Sequence, residues 1–247
     1  MTRMGGSKHL RSYEAPTFWP ISVKERHWTI KPIPGPHPIR RSMPLGILLR
    51  DVLKLATTGR EVRKALSKGL VKIDGRVRKD YRFPLGFMDV IEIVPAKKFY
   101  RLIPDERAFM KPIEINEEDS KLKPLRIENK TTVKGGLIQL NLFDGSNILL
   151  PKEGELPFNE EVTTLSTVLL SIPDKKIIDY FPLAEGMYAI IVGGKNIGAS
   201  GKIVEIKKGE RKKMSLVTMK RGDGSLVQTS LDKIYVIGKE NPAIRIE

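Results

Sequence analysis

Four cations, Arg60, Arg63, Lys64 and Lys68, recur at spacings of three, one and four residues. On a helix this places them along one side, with Val62, Ala65 and Leu66 on the other. A ridge of fixed positive charge suits phosphate groups repeating along a backbone. Lys72, Arg76, Arg78 and Lys79 come next and extend that surface. A Gly-rich loop, Gly193 to Lys202, invites a phosphate-cradle reading, but its spacing fails. A P-loop needs a first Gly separated by four residues from Gly-Lys and a Ser or Thr after it. Here Asn196 stands at the first position and Ile203 comes after Lys202. The cluster Glu114 to Asp119 has no histidine beside it and reads as a helix start or a solvated loop. His9, His27 and His37 are too widely spaced for a metal site. No cofactor, metal or small-molecule substrate is implied.

Residues 1–41 combine cations with flat rings: Lys8, Arg11, Lys24, Arg26, Lys31, Arg40 and Arg41 among Trp19, Trp28 and the three histidines. Such interleaving suits RNA, whose phosphates need neutralising and whose unpaired bases stack. Pro32, Pro34, Pro36 and Pro38 favour extended backbone and remove N–H donors, so a packed helical or sheet domain is not expected there. Lys8, His9, Arg11, Trp19, His37, Arg40 and Arg41 are the candidate RNA contacts of this segment.

The elements that must position these groups are readable from period and turn chemistry. Leu45 to Ala56 places Leu45, Leu48, Leu49, Val52, Leu53, Leu55 and Ala56 on one arc, with Arg50 and Lys54 opposite. Thr58 and Glu61 have capping-box spacing, and Gly69 suits the left-handed position that ends a helix. Leu70 to Ile73 and Arg76 to Lys79 alternate around Asp74-Gly75, the signature of a two-residue hairpin turn. Further on, Gly136 to Leu142 and Asn147 to Leu150 form another hairpin around Asp144-Gly145. From residue 171 the expected strands are Met187–Val192, Ile203–Lys207, Met214–Met219, Leu226–Thr229 and Ile234–Ile237, short and regularly spaced as in a small barrel.

Net charge is +15 over 247 residues and is unevenly placed. Residues 1–104 hold 22 Lys and Arg against 8 Asp and Glu, whereas residues 105–247 hold 22 against 21. One end therefore faces a polyanion, and nucleic acid fits better than a membrane, since no run approaches the length of an apolar span. The absence of cysteine removes disulfides and thiolate chemistry. The cytoplasm is the expected compartment.

The order of helix, capped turn, basic helix and Val71-Lys72-Ile73-Asp74-Gly75-Arg76-Val77-Arg78 resembles the S-four-type RNA-binding domain. Pro44-Leu45 to Arg50, Thr58-Gly59-Arg60-Glu61-Val62 and Gly86-Phe87-Met88-Asp89-Val90-Ile91 resemble its version in the small-subunit ribosomal protein family S-four-e of archaea and eukaryotes. Lys8-His9-Leu10, Ala15-Pro16 with Trp19, and Gly35-Pro36-His37 look like that family's N-terminal words, although Arg11-Ser12-Tyr13 departs from the expected Lys-Arg-Leu. Gly193 to Lys202, between Ile190-Ile191-Val192 and Ile203-Val204-Glu205-Ile206, resembles a KOW motif. Its Lys195, Asn196 and Lys202 would touch RNA, and the next hairpin, Arg211-Lys212-Lys213 and Lys220-Arg221 around Gly222-Asp223-Gly224, would add backbone contacts.

The resemblance implies an α+β, multidomain chain. Residues 1–41 would be an extended basic segment, and 42–104 an RNA-binding domain of two helices packed on a small antiparallel sheet. Residues 105–170 would form a mainly-β central domain and 171–247 an SH3-like barrel. Candidate contacts of the second region are Arg50, Lys54, Arg60, Arg63, Lys64, Lys68, Lys72, Arg76, Arg78 and Lys79. The implied partners are small-subunit ribosomal RNA and neighbouring ribosomal proteins, with no catalysis. An RNA-modifying enzyme using the same guide domain is the rival, but it lacks the expected Arg-Leu-Asp word and the room for a catalytic domain. A transcription-elongation module is the other, suggested by the KOW-like loop alone.

Overall fold

The computed structural model describes residues 9–150, 161–207, 209 and 214–246. Lys8 and the cations Arg211, Lys212 and Lys213 lie outside the described residues. The chain is mixed α/β, mostly strands, and divides into two compact units. The first comprises residues 1–86 and 92–97, the second residues 87–91 and 98–247.

In the first unit the capped helix runs Gly59–Ser67, and both halves of the capping box form: Glu61 N–H donates to Thr58 Oγ1 at 3.3 Å and Thr58 N–H to Glu61 Oε2 at 3.4 Å. Thr57 N–H adds a bond to the same carboxylate at 2.8 Å. These donors, Thr57 foremost, hold the Glu61 carboxyl below its ordinary pKa. Val62 and Leu66 are buried, and Gly69 ends the helix at φ +73°. Replacing Thr58 with Ala is expected to lower stability by about 1 kcal/mol, read as a shifted denaturant midpoint.

The hairpin behind it has Asp74 at φ +49° and Gly75 at +73°, the mirror-image turn that matches strand twist. Its second strand is shorter than the alternation suggests, Arg76–Val77 pairing with Ile73 and Lys72. Arg78 then leaves the strand to lay its guanidinium over Phe83 at 4.4 Å.

The helix expected over 45–56 ends early. Leu45–Ile47 is α-helical, Leu48–Val52 is a π turn, and Lys54 takes φ +51°. The Leu53 N–H reaches back five residues to the Leu48 carbonyl at 2.8 Å. The wider turn shifts the phase of the residues beyond it. Leu48 and Leu49 stay buried, but Leu55 is 54 % exposed.

The N-terminal segment is also more built than its prolines suggest. Leu10–Arg11 pairs antiparallel with Trp28–Thr29. Trp19 is 3 % exposed and donates its Nε1–H to the Ser42 carbonyl at 2.8 Å. His37 is 4 % exposed, its ring lodged where a side chain at position 86 would stand, which Gly86 leaves free. Burial releases apolar ring surface from water, and that outweighs the extended bias of the prolines.

In the second unit, Lys98–Asp105 pairs with Phe109–Ile115, which carries Glu114, and Glu117–Ser120 is a short helix carrying the remaining acidic residues Glu117, Glu118 and Asp119. One five-stranded antiparallel sheet runs in the order Asn147–Leu149, Ile138–Leu142, Leu122–Thr132, Thr167–Ser171, Ile177–Phe181. Its alternate residues Leu125, Ile127, Leu140, Leu142, Val168 and Leu170 form the core, as a period of two requires. A second five-stranded sheet runs Leu226–Ser230, Leu216–Lys220, Ser200–Lys207, Tyr188–Ile191, Ile234–Gly238, so the strand latest in sequence pairs with the earliest, Tyr188–Ile191. Tyr235 joins the two: its hydroxyl donates to the Pro124 carbonyl at 2.9 Å and accepts the Arg126 N–H at 3.0 Å. Complete burial pushes the Tyr235 phenol well above its usual range. Arg126, 2 % exposed, donates to the Asp232 and Ile234 carbonyls at 2.9 and 2.6 Å. Among the described residues no helix is long and apolar enough to cross a membrane.

Candidate RNA interface

The face of helix Gly59–Ser67 away from Val62 and Leu66 carries Arg60, Arg63 and Lys64, with Lys68 just past its end, all exposed. None of the four makes an ion pair with a carboxylate among the described residues. Arg63 stacks over the Tyr81 ring at 4.6 Å, which fixes the plane of its guanidinium while leaving its charge unneutralised. Arg76 and Lys79 are exposed beyond the hairpin, as are Lys54, Arg40 and Arg41.

Other expected contacts are engaged within the protein. Arg50 is held by Asp51 through two bonds of 2.8 and 2.7 Å, with 15 % of its side chain exposed. Lys72 pairs with Glu92 at 3.0 Å. Arg78 is half-buried against Phe83. Arg11 is exposed and donates to the Tyr13 hydroxyl at 2.5 Å. Trp19 and His37 are buried, so neither ring is presented for stacking.

The structure exposes a different ring. Trp28 is 50 % exposed, with the His27 ring edge-on at 4.6 Å and the His9 ring tilted at 5.3 Å. It lines a cleft of about 530 Å³ that also includes Arg26, Lys31, Arg63, Tyr81 and Arg82. Arg82 is chelated by Asp80, whose carboxyl that guanidinium holds below its ordinary pKa. Sequence patterning did not single out Tyr81 or Arg82, and of the two tryptophans it chose Trp19, the one that is buried, as the contact. No periodic signal separates Trp19 from Trp28; only the pairing of Trp28 with Arg11 turns the second ring outward.

In the second unit, Lys195 and Lys202 are exposed, whereas Asn196 is half-buried and donates to the Gln228 carbonyl at 3.4 Å. Two glycines, Gly198 in the loop and Gly201 at the start of strand Ser200–Lys207, are required by space. Gly198 has φ +83°, and a Cβ there would lie 2.7 Å from the Glu106 nitrogen. A Cβ at Gly201 would collide with the Lys220 carbonyl.

Fold and surface together define a protein with an S4-type RNA-binding module, for the S4 domain model matches residues 43–91. The RS4NT (NUC023) domain matches residues 4–40, and the ribosomal family S4e model matches residues 96–177. Small ribosomal subunit protein eS4 of Desulfurococcus amylolyticus is 52 % identical over 247 residues, covering 100 % of this chain and 98 % of its own. That of Staphylothermus marinus is 51 % identical with the same coverage. The crystal structure of the 30S ribosomal protein S4e from Thermoplasma acidophilum superposes with a TM-score of 0.68 at 28 % identity, over 84 % of this chain and 99 % of that one. This chain belongs to the S4e family of small-subunit ribosomal proteins.

Proposed function

We propose that this protein is a structural constituent of the small ribosomal subunit that docks on folded ribosomal RNA and performs no covalent chemistry. The observation that carries the reading is the unneutralised cationic face of Arg60, Arg63, Lys64 and Lys68 on an otherwise well-packed helix. Four consecutive segments divide the work: residues 1–41 and 42–104 hold RNA, residues 105–170 face neighbouring ribosomal proteins, and residues 171–247 add a smaller contact. The last segment is read as an SH3-like barrel whose loop from Gly193 to Lys202 is a KOW element. Its meander of strands and the close approaches at Gly198 and Gly201 support that reading. The place of action is the ribosome in the cytoplasm.

Neutralising phosphates releases counterions, so affinity depends steeply on salt. With about six phosphates engaged, affinity for small-subunit ribosomal RNA is expected to fall about 10³-fold between 50 and 200 mM salt. Filter binding or fluorescence anisotropy across that range tests it. A flat salt response would remove the electrostatic basis of the proposal. Cosedimentation with small subunits at moderate salt and protein–RNA crosslinking in intact subunits test the placement.

A further inference from the structure

We propose that the cleft beside Trp28 receives one unpaired nucleotide of an RNA strand, its base against the Trp28 ring and its phosphate toward Arg63 and Arg26. This deepens the RNA-docking reading and rests on it.

Three observations converge. The cleft, about 530 Å³, falls within the size range of pockets that enclose a small organic ligand. A large ring is half-exposed in its wall, although Trp19 in the same segment is fully packed away. The half of the indole left in water is flat apolar surface that an incoming ring can cover. The lining carries five cations against the two carboxylates Glu25 and Asp51. Asp51 is occupied by Arg50, and Arg82 is held by Asp80. Arg26 and Arg63 make no ion pair among the described residues, so the positive charge is available to an incoming anion.

This combination selects its ligand. Cations alone would accept any phosphate, including the outside of a duplex. A concave wall with an exposed indole accepts a flat ring only if that ring has left its stack. The Ser22 and Thr29 side chains in the same wall offer hydrogen-bonding groups to a base edge or ribose. Such a pocket reads an unpaired position within a folded RNA, where the helix face of Arg60 and Lys64 reads only backbone charge.

The two tryptophans make the test direct. With Trp19 buried, fluorescence quenching by a bound base reports on Trp28. Titrating the full chain with a single-stranded adenylate hexamer is expected to quench that emission, whereas a blunt duplex of equal phosphate number binds without quenching. Trp28→Ala is expected to weaken hexamer binding about ten-fold or more, with duplex binding unchanged and Trp28→Phe close to the unaltered protein. Hexamer binding without quenching, or a Trp28→Ala variant that binds the hexamer as before, overturns the pocket while leaving RNA docking intact. Adenosine monophosphate binding as tightly as the hexamer overturns the assignment to an RNA strand. Failure of the unaltered chain to bind either RNA overturns the docking proposal and this one with it.

Discussion

Changing Arg60, Arg63, Lys64 and Lys68 together to glutamate is expected to lower affinity for small-subunit ribosomal RNA by about three orders of magnitude or more near 0.15 M salt. Counterion release sets the size of the effect. Each phosphate no longer neutralised takes about 0.9 off the slope of log K against log salt on a duplex, so the line should flatten by nearly four units. Reversal rather than neutralisation also places repulsive charge beside the backbone. The fold should survive, because all four side chains are exposed and the helix is held by Val62, Leu66 and its capping box. Circular dichroism unchanged alongside that loss of affinity is the expected pair of results. Unaltered affinity and slope in a folded variant would show that this face is not the contact.

The second large effect concerns stability. Lys123 is 3 % exposed, and its ammonium lies 2.7 Å from an Asp89 carboxylate oxygen and 3.8 Å from one of Asp144. Lys175 approaches Asp144 from another side at 3.7 Å. Replacing Lys123 with Met leaves two buried carboxylates without that cation, and a broken buried pair costs about 3–5 kcal/mol. Urea denaturation should show the loss, and Asp89→Leu added to Lys123→Met should recover part of it.

The same network fixes the sign of a pH effect. Burial alone would raise the Asp144 carboxyl, but Lys123, the Ser146 hydroxyl and N–H, and Lys175 together hold it below its ordinary value. A depressed folded pKa contributes stability that is complete above the unfolded carboxyl's range and is lost as pH falls through the folded value. Without Lys123 burial dominates, and protonation then relieves the folded state. The stability gap between the unaltered chain and Lys123→Met is therefore expected to narrow as pH falls from about 7 toward 4. A gap independent of pH would mean that Asp144 does not sense Lys123.

The elements beside the cationic helix were readable because their causes are local. Thr58 and Glu61 satisfy N–H groups within one turn, and Gly69, Asp74 and Gly75 supply positive φ where the chain must reverse. The charge sorting toward residues 1–104 and the family words around them needed no coordinates either. Less was readable where an ordinary-looking pattern hid an irregularity. Leu45 to Ala56 has an uninterrupted apolar arc, yet a π turn at Leu48–Val52 ends it, since Leu53 bonds five residues back rather than four.

The sequence by itself determined the capped basic helix, the Asp-Gly hairpin, the alternating strands of the second half and the placement of positive charge near the N-terminus. Only the tertiary structure decided which rings and which cations face water. Trp19 is consumed by Ser42, 23 residues away, while Trp28 is turned out; Lys123 lies beside Asp89, 34 residues back, and Arg126 beside Ile234, 108 residues on. Periodicity and capping act over one turn of chain, within reach of any reading of neighbours. Burial is settled by whatever the folded chain brings from far along the sequence, and a side chain's type does not say what that will be.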